Sequence, residues 1–258
     1  CGREVQVAPR IRYVGPLRQI AGGFETPSSD TELAPDGSNI ARFLASLEPS
    51  QFEALNTWLS LLTEGRYEVQ VVRQDVGKGG VDSDGFRLTG ETLSAIFLRD
   101  HHTKTTVSLQ NAGVGISQVM PILAQMAAWG SLGRRREPFR KVRRPEMLLI
   151  EQPELHLHPR MQADFASVLV ESIVSSGSRE RGGRQAVIET HSEAILLRIQ
   201  KLIREGEIAA EDVSVIYVDK FPGGGNLAQE LRLDSTGLFI DSWPASFSEL
   251  RWSEDEFG

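Results

Sequence analysis

The sequence has a single cysteine, Cys1, among its 258 residues. One cysteine excludes an internal disulfide framework and favours a reducing, cytoplasmic compartment. No apolar run approaches the roughly 20 residues that span a bilayer, and no signal peptide is recognisable, so we expect no membrane association. Basic residues are also outnumbered: 28 lysines and arginines against 35 acidic residues leave a net charge of −7, which argues against a general nucleic-acid coat.

The remaining composition, 40% hydrophobic and 24% charged, is typical of a soluble globular protein. We expect three regions: a helical and antiparallel β region at 1–110, a core lobe at 111–220, and a hairpin with an aromatic, acidic tail at 221–258. Because the chain begins with Cys-Gly-Arg-Glu and not with Met, excision from a longer chain is favoured over a mature lipoprotein.

The N-terminal part changes its hydrophobic period along the chain. Apolar residues between positions 39 and 62 recur at helical spacing, which predicts two amphipathic helices that meet near Pro49. After them, β-type patterns separated by Gly/Asp turns predict an antiparallel patch of three strands, at 67–72, 94–98 and 105–109.

The second half of the chain alternates helices with strands. The predicted helices are 117–129, 159–175 and 192–204, the last with Gly206 as a cap. The predicted strands are 147–150, 186–189 and 213–219. This alternation predicts an α/β fold whose mainly parallel sheet is flanked by helices on both faces, with the antiparallel patch beside it.

A polar cluster follows the apolar strand at 147–150. Over 147–159 the chain runs Met-Leu-Leu-Ile-Glu-Gln-Pro-Glu-Leu-His-Leu-His-Pro. An acid at the end of a buried strand, here Glu151, is how many nucleotide hydrolases hold Mg²⁺, directly or through water. The next residue, Gln152, stands where an attacking water would be polarised. The alternative is a pair of polar residues satisfied by local hydrogen bonds.

A glycine-rich turn precedes the helix predicted at 117–129. Over 111–118 the chain runs Asn-Ala-Gly-Val-Gly-Ile-Ser-Gln. Gly113 and Gly115 let backbone amides approach an anion closely, and Ser117 is a suitable N-cap. An exposed helix N-terminus attracts phosphate, although a turn of this kind alone is more often an ordinary loop.

A third motif ends the strand predicted at 186–189. The chain runs Val-Ile-Glu-Thr-His-Ser-Glu over 187–193. His191 can donate a hydrogen bond to a phosphate oxygen, and Ser192 can cap the following helix. Taken alone, such a histidine is more often structural.

The order of the three motifs is more specific than any one of them. In this order they resemble the signature motif, the Walker B strand with its D-loop, and the switch histidine of ABC-type ATPases, and in particular AAA-family ATPases related to the OLD and SMC groups. The segments Gly15–Arg18 and Phe239–Pro244 also resemble segments of one bacterial branch. The resemblance therefore extends over nearly the whole chain.

The resemblance implies a role for each motif. Glu151 matches the Walker B acid that binds Mg²⁺, Gln152 the catalytic carboxylate, and His191 the switch histidine. Asn111, Gly113, Gly115, Ser117 and Gln118 belong to the signature that contacts ATP bound by a partner subunit, and Leu155–Pro159 matches the D-loop at a dimer interface. The implied cofactors are ATP and Mg²⁺, and the implied assembly is a homodimer or higher oligomer.

Two departures from the family pattern define the expected activity. The phosphate loop Gly-x-x-x-x-Gly-Lys-Ser/Thr occurs nowhere in the sequence. The chain therefore resembles the C-terminal half of an ATPase, inactive until a missing N-terminal half supplies that loop. The amide of Gln152 can orient water but cannot accept a proton as a carboxylate does. We expect slow hydrolysis, unless Glu154 reaches the water.

Several alternatives remain from the sequence. A nucleotide-gated scaffold would bind ATP and recruit an effector with negligible hydrolysis. A metal-dependent hydrolase would use His156, His158, Glu154 and His191 as zinc or manganese ligands.

The basic run Arg134–Arg144 would contact DNA or RNA phosphates, or be a solvated loop. Relatives in phage defence or DNA transactions make an effector protein or nucleic acid a plausible partner by analogy alone. Tail aromatics would dock a partner or pack on their own domain: Trp243, Phe247, Trp252 and Phe257.

Overall fold

The computed structural model describes residues 8–19, 25, 32–76, 91–129, 146–174, 184–220 and 225–242. The chain divides into two compact units, residues 1–194 and 195–258. The elements in chain order are β1 (Arg10–Val14), α1 (Ile40–Ala45), α2 (Pro49–Leu62), β2 (Tyr67–Val76), β3 (Glu91–Asp100), β4 (Thr105–Ser108), α3 (Val114–Ala128), β5 (Glu146–Glu151), α4 (Pro159–Val174), β6 (Arg184–Glu189), α5 (Glu193–Arg204), β7 (Val215–Lys220) and β8 (Asn226–Leu231). The three regions expected from the sequence remain a prediction.

The first unit contains a three-stranded parallel sheet in the order β1-β5-β6. Helix α3 packs against β1, and α4 packs against β6. The predicted α/β class, with a parallel sheet flanked by helices, is confirmed. The strand β1 was not predicted, because its sequence Arg-Ile-Arg-Tyr-Val is only five residues long and lies in a segment rich in loop formers.

The two faces of this sheet differ in exposure. One face is buried and carries Val14 of β1 and Ile150 of β5. The opposite face carries Ile11, Tyr13 and Val187, which are 58%, 39% and 54% exposed. Successive residues of a strand point to opposite faces, which explains the alternation. The described residues do not supply the expected cover on the second face.

The predicted antiparallel patch is confirmed as the sheet β2-β3-β4. Its strands pair with Tyr67 opposite Asp100 and Phe97 opposite Ser108. Strands β2 and β3 are longer than predicted, since cross-strand pairing continues into polar residues that carry no apolar signal. Helices α1 and α2, which meet near Pro49 as predicted, pack on this sheet.

Helix α3 forms the centre of the first unit. Every residue from Ile116 to Ala128 is buried, which is the pattern of a helix surrounded by protein on all sides. Pro121 is accommodated inside the helix. The helix begins at Val114, three residues before the predicted start, and contacts α1, α2 and α4.

The second unit begins within α5, at Ile195. Gly206 ends this helix with a φ of 78°, and its N–H donates to Ile203 O at 3.0 Å, so the predicted cap is confirmed. Strand β7 pairs antiparallel with β8 and belongs to a separate two-stranded sheet. The expectation that 213–219 would join the parallel sheet is therefore wrong among the described residues. The residue period of a strand is two in both parallel and antiparallel sheets, so the sequence pattern does not distinguish the two pairings.

Several predictions lie outside the described residues. These are the basic run Arg134–Arg144, the N-terminal Cys1 and the tail aromatics Trp243, Phe247, Trp252 and Phe257. Within the part of the chain that the structure describes, no helix is both long enough and apolar enough to cross a membrane.

Candidate functional site

The carboxyl ends of β5 and β6 lie side by side because the two strands are parallel and in register. Glu151 is directly opposite Glu189. Just beyond, the backbone N–H of Gln152 donates to Glu189 O at 2.8 Å. Gln152 has a φ of 46°, in the left-handed region that non-glycine residues seldom occupy. The chain thus turns sharply away from the sheet at the residue predicted to face the attacking water.

The carboxylate of Glu151 has one direct side-chain partner from the neighbouring strand. Tyr13 Oη donates to Glu151 Oε1 at 2.8 Å. The hydrogen bond to this carboxylate raises the pKa of Tyr13 above its ordinary value. Tyr13 therefore stays a donor at neutral pH, and Glu151 is half-buried.

Arg18 lies directly behind this strand end. Its side chain is 5% exposed, and its guanidinium donates to Glu151 O at 2.5 Å, to Gln152 O at 3.1 Å and to Gln118 O at 3.4 Å. Burial lowers the pKa of Arg18 to about 10, so it remains charged at neutral pH. The amide of Gln118 in turn donates to Arg18 O at 2.8 Å. One buried cation thus joins the strand end to helix α3.

The turn after β5 is compact and packs against the start of α3. Leu157 N donates to Glu154 O at 3.0 Å, and His156 has a φ of 63°. A Cβ added to Gly115 would lie 2.6 Å from His156 O, closer than real Cβ contacts occur. Gly115 is thus required by the approach of two backbones, where the sequence alone indicated the approach of an anion.

Glu154 connects this turn to the turn that carries His191. Its Oε2 accepts a hydrogen bond from Thr190 Oγ1 at 2.7 Å, and its Oε1 accepts one from His191 N at 2.8 Å. Both oxygens of the carboxylate are engaged, so in this arrangement Glu154 positions the His191 turn. A free base beside the attacking water would need one of these bonds to break.

A second side chain, that of Gln162, also connects these two turns. Gln162, on the first turns of α4, donates from Nε2 to Leu157 O at 2.8 Å. Its Oε1 accepts a hydrogen bond from Ser192 Oγ at 2.5 Å. Ser192 immediately precedes α5, which begins one residue after the predicted start. Its predicted role as the cap of this helix stays a prediction. The sequence did not predict a role for Gln162, because this residue lies in a helix outside the three motifs.

The predicted signature residues fall into two groups. Asn111 and Gly113 are exposed, whereas Ser117 and Gln118 are 1% and 8% exposed. Ser117 Oγ donates to Leu109 O at 3.0 Å and to Gly113 O at 3.1 Å. The helix begins at Val114 after Gly113, whose φ is 93°. The expectation that Ser117 would cap the helix is therefore wrong, because the helix starts one turn earlier.

The histidines do not assemble into a metal centre. His156, His158 and His191 are exposed. Among the described residues, no group of three or more His, Cys, Asp or Glu side chains is placed to hold a metal ion. The zinc or manganese alternative therefore has no supporting geometry in this part of the chain. Glu151, whose oxygen donors suit Mg²⁺, does not depend on such a cluster.

The three motifs thus lie together, joined by Arg18, by Glu154 and by the packing of Gly115. The AAA ATPase domain family matches residues 38–196, more than half of the chain, and the match includes all three motifs. The chain belongs to this family. Membership indicates a nucleotide-binding, ATPase-type domain, with Mg²⁺ the usual companion of the nucleotide.

Two solved structures are similar to this AAA ATPase domain. One is an Smc head bound to the C-winged helix domain of ScpA, with 14% identity and a TM-score of 0.46 over 79% of this chain and 48% of that chain. The other, derived from Pyrococcus furiosus, is an Smc head domain with an extended coiled coil bound to the C-terminal domain of ScpA. It shows 12% identity and a TM-score of 0.42 over 81% of this chain and 38% of that chain. The AAA ATPase domain thus spans less than half the length of both. No curated protein matches the sequence.

Proposed function

We propose that this chain is the C-terminal part of an ABC-type ATPase that binds ATP at a dimer interface and hydrolyses it slowly in the cytoplasm. Binding would bring two subunits together, and hydrolysis would release them. The observation that carries the proposal is the convergence of three motifs at one edge of the parallel sheet, a position where α/β folds bind ligands. The hydrogen bonds of Arg18 and Glu154 hold these motifs together.

Glu151 and Gln152 would act on Mg²⁺ and water respectively. One oxygen of Glu151 accepts a hydrogen bond from Tyr13, which leaves the other for the cation, directly or through water. The amide of Gln152 would orient the attacking water without taking its proton. The left-handed backbone conformation of Gln152 supports a functional role for this residue, since strained backbone conformations cluster at active sites.

His191 would contact the terminal phosphate, which Mg²⁺ helps to neutralise when ATP is bound. Its backbone N–H donates to Glu154, so the main chain is held while the exposed imidazole stays available. Glu154 would then act as a positioning residue. Its direct contact with the attacking water, predicted from the sequence, would be the less favoured role.

The signature turn would complete the site of a partner subunit. Asn111 and Gly113 are exposed at the start of α3, where unpaired backbone N–H groups favour anions. Gly115 holds this turn against His156 of the predicted D-loop. Ser117 and Gln118 support the turn from beneath, since both are buried and hydrogen-bonded to backbone.

An upstream segment would supply the missing phosphate loop. The sequence contains no such loop, so the β- and γ-phosphates lack their main cradle. The open face of the parallel sheet, with Ile11 and Val187 exposed, would be covered by that N-terminal half. DNA contact through Arg134–Arg144, an effector protein and a role in phage defence remain proposals by analogy.

The test is ATP turnover by the chain joined to its upstream segment. Measurable multiple turnover is expected, and Glu151→Gln should abolish it by removing the cation ligand. His191→Ala should lower the turnover rate with little change in nucleotide affinity. Lys201→Ala, at an exposed position of α5 outside the three motifs, serves as the surface control. Turnover that survives Glu151→Gln would contradict the proposal.

A nucleotide-gated scaffold is the second candidate, and Gln152 is the residue that favours it. A scaffold would bind ATP and close without hydrolysing it, because the amide of Gln152 cannot accept the proton of water. Multiple turnover abolished by His191→Ala would exclude the scaffold. ATP-dependent dimerisation with no phosphate release would support it.

A further inference from the structure

Tyr13 occupies a place in the site that none of the three motifs accounts for. It lies on β1, paired in parallel with β5 so that Tyr13 is opposite Leu149. The next residue on the same face of β5 is Glu151, and Tyr13 Oη reaches its Oε1 at 2.8 Å. The strand β1 therefore brings a hydroxyl to the predicted cation ligand from outside the Walker B segment.

Glu151 has an opposing neighbour on its other side. Glu189 is directly across from it on β6, and the two side chains point to the same face. Like charges at paired positions repel. The hydroxyl of Tyr13 draws the Glu151 carboxylate toward β1, away from Glu189. A hydrogen bond to one oxygen also fixes the rotation of the carboxylate and so the direction of the second oxygen.

The position of the hydroxyl is itself restricted. A Cβ added to Gly15 would lie 3.3 Å from Tyr13 Oη and 3.6 Å from its Cζ. The absence of a side chain at position 15 therefore leaves room for the phenol ring beside the strand end. Gly15 N donates to Pro35 O at 2.9 Å, which holds the backbone there.

We infer that Tyr13 is a positioning residue for the cation site: its hydroxyl orients Glu151 so that one carboxylate oxygen is presented to Mg²⁺. This inference rests on the proposed function, because it assumes that Glu151 holds the ion of a Mg²⁺–nucleotide complex. Hydrogen bonds to metal-ligating carboxylates typically change metal affinity by about 10- to 100-fold when they are removed. Tyr13 is partly exposed, which favours the lower end of this range.

The test measures cation binding directly. Mn²⁺ replaces Mg²⁺, and its dissociation constant is measured by electron paramagnetic resonance with a non-hydrolysable ATP analogue and the protein carrying the upstream segment. Tyr13→Phe is expected to raise this constant about tenfold. The affinity for the analogue in the absence of a divalent ion should not change. A general structural defect would lower that affinity as well. Tyr67→Phe, the same change on β2, is the matched control.

A second variant moves the hydroxyl without removing it. Gly15→Ala places a methyl group against Tyr13 Oη and should weaken Mn²⁺ binding less than Tyr13→Phe does. Unchanged or tighter Mn²⁺ binding in Tyr13→Phe, with binding abolished by Glu151→Gln, would overturn the inference and leave the proposed function intact. Absence of Mn²⁺ binding in the unmodified protein would overturn both.

Discussion

At the residue scale, single side chains decide which chemistry the strand end can perform. Glu151 offers oxygen to a cation, while Gln152 offers water an amide that cannot take a proton. Arg18 is buried and charged, and it holds three backbone carbonyls of the same site. Replacing Arg18 would leave three backbone carbonyls without their donor, which is costly, so Arg18 is a support of the site and an unsuitable probe of its chemistry.

Gln152→Glu is expected to raise ATP hydrolysis by the completed protein about tenfold or more, because it restores a proton acceptor beside the water. Phosphate release under saturating nucleotide measures the effect. Adding Glu151→Gln to this variant should return the rate to background. An unchanged rate with intact ATP affinity would count against Gln152 as the residue next to water.

At the element scale, the site depends on how turns pack against each other. The turn after β5 contacts the start of α3 through Gly115 and His156. It contacts the turn before α5 through Glu154, and Gln162 of α4 forms hydrogen bonds with both turns. Three elements distant in sequence are therefore held as one arrangement, and a movement of the predicted D-loop would reach His191 through two hydrogen-bonded side chains.

Gly115→Ala should destabilise the first unit by about 1–3 kcal/mol, the usual cost of overpacking. Alanine is the better helix former by about 1 kcal/mol, so propensity alone predicts the opposite sign. The obstacle is the backbone oxygen of His156, which cannot move aside as a flexible side chain would. Chemical denaturation followed by circular dichroism measures the change, and stabilisation would refute the close packing.

Glu154→Ala and Thr190→Val should be non-additive, since both remove the same hydrogen bond. Bonds to a charged group contribute roughly 1.5–3 kcal/mol, and partly exposed ones contribute less. Glu154→Ala should cost more, because it also leaves His191 N without its acceptor. A double-mutant cycle on the free energy of unfolding measures the coupling. Simple additivity would mean that the connection does not stabilise the turn.

At the scale of the whole molecule, the chain consists of two units that each contain an arginine–aspartate pair. In the first, the hydrogen bond from Arg66 lowers the pKa of Asp100 to about 2. In the second, the hydrogen bond from Arg232 lowers the pKa of Asp241 to about 2. Both carboxylates bind protons less readily in the folded state than in the unfolded state, so both pairs contribute stability that is lost as the pH falls.

Asp100→Asn should make the stability of the first unit depend less on pH in acid than it does in the unmodified protein. The contribution of Asp100 is fully present above the ordinary carboxyl pKa of 3.8 and is lost as the pH falls toward 2. Hydrogen exchange of β2 and β3 peptides between pH 5 and 2.5 measures the effect. Asp241→Asn is the matched control, and it should change β7 and β8 peptides while leaving β2 and β3 unaffected.

Most of the fold could be predicted from hydrophobic period. The helices near Pro49, the antiparallel patch, the parallel strands β5 and β6 and the cap at Gly206 carry strong local signals. The strand β1 could not be predicted, because it has only five residues and lies in a segment rich in loop formers. The pairing of β7 was misjudged because parallel and antiparallel strands share the same period of two.

The sequence by itself determined the types of residue at the ends of the strands and the order of the three motifs, because both are properties of the linear chain. The tertiary structure alone decided that Tyr13 touches Glu151, that Glu154 holds the His191 turn and that Gly115 faces a backbone oxygen. Each of these contacts joins residues far apart in sequence. Their geometry comes from strand register and helix packing, which no local pattern encodes.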